Sequence, residues 1–212
     1  MMTLPKIALS SLAIAVSMMA TTFLDPTLEP HLRVFNLSPM QLGGVFLGGA
    51  GVYSLIAPLV GYYSSKLNNL LMVATGLVGM ATCLALIGPA LFLNLPNQLW
   101  ANILSFIFFD AFLALALIPT FEFILISTTS AGYGDDIRTH GMVSGLWNFW
   151  CSFGEVVGGA LSGVLVDSIG FISATSYLSL INLSSGFIFL IFNLILWFLN
   201  RKSRESDRPD VD

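Results

Sequence analysis

Three carboxylates lie inside long apolar stretches of the sequence. Asp110, Glu122 and Glu155 are each flanked on both sides by runs rich in Leu, Ile, Phe, Val and Ala. At the centre of a bilayer a charged side chain costs about 3 kcal/mol or more unless it is neutralised or faces water or protein. Every Lys and Arg falls outside these runs, so the charge placed in them is all acidic.

Carboxylates in such a setting can do two kinds of chemistry. Burial favours the protonated form of a carboxyl group, so one or more of the three can load and release a proton or bind a cation. Alternatively, each is a protonated carboxyl that is hydrogen-bonded to Asn102, Asn148 or a backbone carbonyl. Both interpretations stay open, but an anionic substrate is disfavoured by acids that no base accompanies.

The elements that must position these acids are membrane-spanning helices. The 212 residues are 56% hydrophobic and 9% charged, with a mean hydropathy of +0.85, and about 20 apolar residues span a bilayer as a helix. The runs are too long and too uniformly apolar for barrel strands. We therefore expect an all-α membrane domain over residues 1–199 with six transmembrane helices, at Ile7 to Leu28, Leu42 to Tyr63, Leu70 to Gly88, Leu99 to Ile126, Gly141 to Val166 and Ser176 to Leu199.

The basic residues predict the orientation. With six spans both termini share one side of the membrane, and that side receives Lys6, Lys66, Arg138, Arg201, Lys202, Arg204 and Arg208. Only Arg33 falls on the other side, which favours cytoplasmic termini and a disordered cytoplasmic tail over residues 200–212. One alternative concerns the first span, because Lys6 followed by an apolar stretch to Ala20 also fits a secretory signal peptide.

Depth along the helices separates the acids. At 1.5 Å per residue, Asp110 and Glu155 fall near the middle of the bilayer, on adjacent spans, and Glu122 lies about a third of the way from the cytoplasmic end. Asp25 lies at the outer end of the first span, where a solvated or capping role is expected. The aromatic residues Trp147 and Trp150 precede Glu155 by one to two turns and either pack against lipid or form a wall for an organic ammonium group.

Glycines and prolines mark helix contacts and possible hinges. Two glycine pairs spaced one turn apart predict close approach of helix backbones, and two prolines predict kinks at a cavity or hinge. The glycines are Gly154 with Gly158 and Gly159 with Gly163, and the prolines are Pro58 and Pro119.

Other chemistries find little support. The two cysteines, Cys83 and Cys151, lie in spans without metal-ligand or redox spacing, and the two histidines lack a metal motif, so no metal or cofactor is expected. No basic stripe exists for a nucleic acid. An intramembrane enzyme would need a nucleophile with its base, and none is found, so we expect no enzyme. A non-transporting membrane scaffold that binds partner helices remains the alternative to a carrier.

Two long segments resemble a known transporter family. The stretch IPTFEFILIS, followed by a polar loop and GMVSGLWNFWCSFGEVVGGALSGVLVDSIGF, resembles spans ten and eleven of the major facilitator superfamily, and is most similar to its vesicular amine and polyamine transporters. The opening FLDPTLEPHL and the stretch SPMQLGGVFLGGAGVYSLIAPLVGYYSSKL resemble spans seven and eight. Gly154, Gly158 and Gly163 match the antiporter motif, although Gly159 stands where that motif usually has proline.

The resemblance implies a carrier in two halves. The family's twelve helices form two six-helix halves, each an inverted three-plus-three repeat, and work by alternating access around a central cavity. This chain would be the C-terminal half, with the N-terminal half as its missing partner. By resemblance its substrate would be an organic cation or amine exchanged for protons, in a vesicle or plasma membrane.

Overall fold

Six helices make up the described chain. The computed structural model describes the backbone of residues 3–90 and 96–206 and the side chains of residues 5–90 and 96–199. The helices are α1 (Thr3–Arg33), α2 (Pro39–Ser64), α3 (Asn69–Ile87), α4 (Leu99–Thr129), α5 (Ile137–Ile169) and α6 (Phe171–Ser206). Each is long and apolar enough to cross a membrane, and no strand occurs in these ranges. The predicted helical fold with six spans is confirmed.

Five of the six helices are longer than the predicted spans, and α3 has the same length as its span. The expected loop over residues 167–175 is wrong, since α5 runs to Ile169 and α6 begins at Phe171. Gly170 alone joins them, with a φ of 82° that side chains rarely adopt. Within the expected loop, the Ser168 hydroxyl donates to the Val164 carbonyl of the same helix at 2.6 Å. Polar residues at a helix end can therefore extend the helix into the headgroup region.

Capping residues fix three helix starts. Ser38 and Gln41 form a reciprocal capping box at α2, and Asn68 caps α3. At α5 the Asp136 side chain accepts a hydrogen bond from the Thr139 backbone N–H at 2.8 Å. That bond holds the pKa of Asp136 below its usual value. These caps satisfy backbone donors that the first turn of a helix leaves unpaired.

Helix packing divides the bundle into two sides. The most buried helix is α3, which packs between α4 and α6. Gly76 lets α3 approach the α4 backbone closely, since a Cβ there would lie 2.8 Å from the Ala116 Cα. On the other side, α1 packs against α5 and α4, and α2 packs against α4. The spans of α2 and α5 are the least buried.

The chain ends bear on two further predictions. If every helix crosses the membrane, residues 3 and 206 lie on one side, which we call the terminus side. The tail predicted to be disordered from residue 200 begins as helical backbone up to Ser206, and residues 207–212 lie outside the described residues. Both the tail and the cytoplasmic orientation stay predictions.

Candidate functional site

A cleft of about 390 Å³ opens between α1, α2, α4 and α5. We call it the central cleft. It brings Asp110 and Glu155 together, as their depths suggested, and adds a third carboxylate, Asp25. Its polar lining consists of Thr21, Thr22, Asp25, Tyr53, Ser54, Asp110 and Glu155.

Helical spacing accounts for which side chains reach the cleft. On α1, Met18, Thr21, Thr22 and Asp25 stand at positions i, i+3, i+4 and i+7, which share one helix face. On α2, Ala50, Tyr53 and Ser54 follow the same rule, as do Asp110, Leu113 and Leu117 on α4. Each helix therefore presents one stripe to the cleft and keeps the rest of its surface for packing.

Asp110 is seated against the backbone of α2. A Cβ at Gly49 would overlap the Asp110 carboxylate and lie 2.9 Å from Cε1 of Phe106. Gly49 is buried, so α2 and α4 meet there with the carboxylate filling the space that a side chain would occupy. The position of Asp110 therefore depends on a glycine at residue 49.

Close packing of α1 on α5 places Glu155. A Cβ at Gly154 would lie 2.5 Å from the Ala15 carbonyl oxygen, and a Cβ at Gly158 would lie 2.9 Å from the Met19 Cα. The Thr22 hydroxyl lies 2.8 Å from the Met18 carbonyl oxygen and 3.3 Å from that of Glu155, so it can donate to either. These contacts hold the Glu155 backbone beside the cleft-lining face of α1.

The cleft carries acids without a base. Among the described side chains the ion pairs are Arg33 with Glu29 and His140 with Asp135, and none of these four residues lines the cleft. Asp25 and Asp110 are close enough for their charges to repel. A proton or a cation between neighbouring carboxylates relieves such repulsion. The arrangement can therefore hold protons or a cationic group.

Glu122 lies in a separate pocket toward the terminus side. This pocket has a volume of about 500 Å³ and is lined by α2, α4 and α5, including Ser64, Phe121, Glu122, Trp147 and Asn148. We call it the Glu122 pocket. It shares no lining residue with the central cleft. The three acids singled out in the sequence thus divide into two places.

The predicted hinge and packing residues also divide. Pro119 is buried and Pro58 is exposed, and the helices continue through both. Gly154 and Gly158 contact α1, whereas Gly159 and Gly163 are exposed and have open space around them. Only one of the two predicted glycine pairs, Gly154 with Gly158, therefore packs within the described chain.

Some cleft residues were missed in the sequence. Asp25, for which a solvated or capping role was expected, lines the central cleft, although its side chain is exposed. Tyr53 and Ser54 were not identified. A signal for Asp25 was present, because Thr21 and Thr22 precede it by one turn and share its helix face. Tyr53 and Ser54 offer no such signal, since only the packing of α2 on α4 selects their face.

Comparison with known proteins identifies the family. The sequence profile described as Major Facilitator Superfamily matches residues 10–211. The chain belongs to the major facilitator superfamily. This confirms the family inferred from the sequence, and it is a family of transporters rather than enzymes.

Curated relatives carry the same family label. The chain is 36% identical over 197 residues to the MFS-type transporter SLC18B1 of Rattus norvegicus, covering 92% of this chain and 43% of the relative. Identity to the Homo sapiens protein of that name is 34% over 208 residues, covering 96% of this chain and 45% of the relative. The chain thus spans about half the length of the curated relatives that it matches. No solved structure matches it significantly.

Proposed function

We propose that this chain forms one half of a secondary transporter that exchanges an organic cation or amine for protons by alternating access. The observation that carries the proposal is the central cleft, where Asp25, Asp110 and Glu155 converge from three helices with no basic side chain in the lining. Membership of a transporter family supports the transport part of the proposal.

The chemistry of the cleft favours a cation that competes with protons. A positively charged amine and a proton both neutralise a carboxylate, and a site that accepts either one exchanges them when it faces two compartments in turn. The Tyr53 ring and hydroxyl and the Thr21 hydroxyl add groups that suit an organic ammonium. These side chains supply no cationic partner for an anionic substrate.

The partner of this chain is a second six-helix half. The exposed faces of α2 and α5 carry large apolar side chains such as Leu47, Leu55, Phe153 and Val156. These helices flank the open side of the cleft, and a second half would cover it. The relatives' length, about twice that of this chain, supports such a partner. We further propose that the terminus side faces the cytoplasm, as the basic residues predict.

The test uses the complete carrier, meaning this chain with its partner half, reconstituted in vesicles with an acidic lumen. Radiolabelled phenethylammonium serves as the probe. We expect uptake that collapses when the proton gradient is dissipated, and we expect Asp110→Asn and Glu155→Gln to abolish that proton dependence. Asp167→Asn is the matched control, because Asp167 is an exposed carboxylate on α5 outside the cleft.

Two results would contradict the proposal. One is gradient-driven uptake that survives both cleft substitutions unchanged. The other is equal loss in Asp167→Asn, which would indicate a general effect of removing acids. If the folded complete carrier shows no gradient-driven uptake at all, the scaffold alternative gains support.

A further inference from the structure

The Glu122 pocket is remote from the central cleft. Twelve residues of α4 separate Asp110 from Glu122, which corresponds to about 18 Å along the helix. Glu122 lies seven residues before the end of α4 at Thr129, so the pocket is near the terminus side. It is also larger than the central cleft, at about 500 Å³ against about 390 Å³. The role proposed for the central cleft therefore does not account for the Glu122 pocket.

The acid in this pocket lacks a charged partner among the described side chains. The described ion pairs lie elsewhere. The nearest base in sequence to Ser64 is Lys66, whose ammonium bonds the Tyr62 hydroxyl and sits 3.9 Å from the centroid of that ring. The Ser64 hydroxyl can donate to Oε2 of Glu122 or to the Gly61 carbonyl oxygen, which lies 3.0 Å away. In either case Oε1 of Glu122 remains able to accept from a ligand.

An oriented aromatic face lies beside the acid. The Trp147 indole N–H donates to the Thr120 hydroxyl oxygen at 3.0 Å, and that hydroxyl donates to the Leu117 carbonyl at 2.5 Å. The two bonds link α5 to α4 and fix the direction of the indole ring. Tryptophan is the aromatic side chain that attracts a cation most strongly.

Asn148 adds a neutral hydrogen-bond acceptor to the lining of the pocket. The Asn148 amide N–H donates to the Ser144 carbonyl at 3.0 Å. This bond uses one of the two amide N–H groups, and the amide oxygen can accept from a ligand. The lining therefore combines a carboxylate, an amide and an indole ring, which suit an ammonium group that offers N–H donors and a positive charge.

We propose that the Glu122 pocket is a second binding site for the ammonium group of an organic cation, located between the central cleft and the terminus side. The proposed function supplies the identity of the cargo, so the inference rests on it in that respect. A cargo molecule would contact Glu122 before or after it occupies the central cleft. An alkylammonium with an aromatic or apolar body fits best, because Phe121 and Trp147 line the rest of the pocket.

The experiment uses Trp147 as its reporter. In the complete carrier, Trp100, Trp150 and Trp197 are replaced by Phe and any tryptophan of the partner half is also removed. The probe is 4-bromobenzylammonium, whose bromine quenches indole fluorescence on contact. Its neutral isostere, 4-bromobenzyl alcohol, controls for partition into the bilayer. We expect saturable quenching by the ammonium at concentrations where the alcohol quenches weakly.

Substitutions then assign the quenching to the pocket. Glu122→Gln should weaken the apparent affinity for 4-bromobenzylammonium about tenfold, and Glu122→Asp, which keeps the charge, should restore part of it. Asp110→Asn should leave it within about twofold, because sites so far apart act independently. Equal quenching by the alcohol, or an unchanged affinity in Glu122→Gln, would overturn the inference.

Failure of this inference and failure of the proposed function give different results. If the second site is absent, Glu122→Gln leaves the quenching of Trp147 unchanged, while uptake still depends on Asp110. If the proposed exchange is wrong, Asp110→Asn and Glu155→Gln leave uptake unchanged, while the quenching of Trp147 still depends on Glu122. Monodisperse elution of each variant in detergent shows that it has folded.

Discussion

The central cleft and the Glu122 pocket treat their acids differently. In the cleft, the carboxylates of Asp25, Asp110 and Glu155 share one space, and within the described chain no hydrogen bond to them is found. In the pocket a single carboxylate can accept a hydrogen bond from Ser64 and shares the lining with an indole ring that is itself held in place. The cleft therefore holds three carboxylates in one space, whereas the Glu122 pocket holds one carboxylate beside neutral polar and aromatic side chains.

This difference indicates how much each region depends on a ligand. Acids crowded together need protons or a cation to relieve their repulsion, so occupancy of the cleft should change strongly with pH and substrate. An acid with a hydroxyl donor is partly stabilised without a ligand, so the pocket should bind more weakly. We therefore expect coupling of protons to cargo in the cleft and passage of cargo through the pocket.

The largest expected effect tests this division directly. Asp110→Asn should reduce gradient-driven uptake roughly a hundredfold, equivalent to about 2.7 kcal/mol, because the cleft loses an acid that faces two others. Glu122→Gln should reduce it by about tenfold or less. Initial rates of phenethylammonium uptake in vesicles measure both. Equal losses would contradict the division and indicate one continuous site.

The next effect concerns the contact that holds Glu155. Gly158→Ala should destabilise the α1–α5 packing by about 1–3 kcal/mol, since the added methyl meets the Met19 backbone and the Thr22 hydroxyl. The adjacent Gly159→Ala should be neutral or slightly stabilising, because that position is open and alanine favours helix. The fraction of each variant that stays monodisperse after stepwise heating in detergent measures the difference. Similar curves for the two variants would show that the α1–α5 contact does not limit stability.

The helices and the depths of the acids follow from local sequence properties. A run of about 20 apolar residues predicts a span wherever it occurs, and counting along α4 and α5 places Asp110 and Glu155 at similar depth. Which glycine pair packs was harder to predict, because Gly154 with Gly158 and Gly159 with Gly163 have the same spacing. Which pair meets α1 depends on the rotation of α5 about its axis, and that is decided by packing.

The site itself was only partly predictable for the same reason. Separation of Glu122 from Asp110 along α4 could be read from the sequence, but the hydrogen bond from Ser64 joins residues 58 positions apart. The role of Gly49 beside Asp110 likewise arises from contact between α2 and α4. Neither partner carries a motif, so neither could be identified before the helices were placed together.

Gly49 gives a smaller and more specific effect in the cleft. Gly49→Ala should move the Asp110 carboxylate aside and weaken phenethylammonium uptake about tenfold through its apparent affinity, because the carboxylate yields more readily than the backbone. Gly51→Ala is the control on the same helix, with nothing within 4 Å of its added methyl. The concentration dependence of uptake separates the two. A loss of maximum rate with unchanged affinity would contradict a positioning role for Gly49.

The smallest expected effect probes the hydrogen bond in the Glu122 pocket. Ser64→Ala removes a donor worth about 0.5–1.5 kcal/mol, so 4-bromobenzylammonium should quench Trp147 with an affinity lowered by only a few-fold.

Ser65→Ala provides the matched control for this change. Ser65 is the next residue along the chain, and its exposed hydroxyl donates to the Tyr62 carbonyl at 3.1 Å rather than to Glu122. Quenching in Ser65→Ala should therefore match the parent protein at every pH. If Ser64→Ala and Ser65→Ala behave alike, Ser64 does not tune the acid, and the contrast between a crowded cleft and a partnered pocket reduces to the number of carboxylates in each.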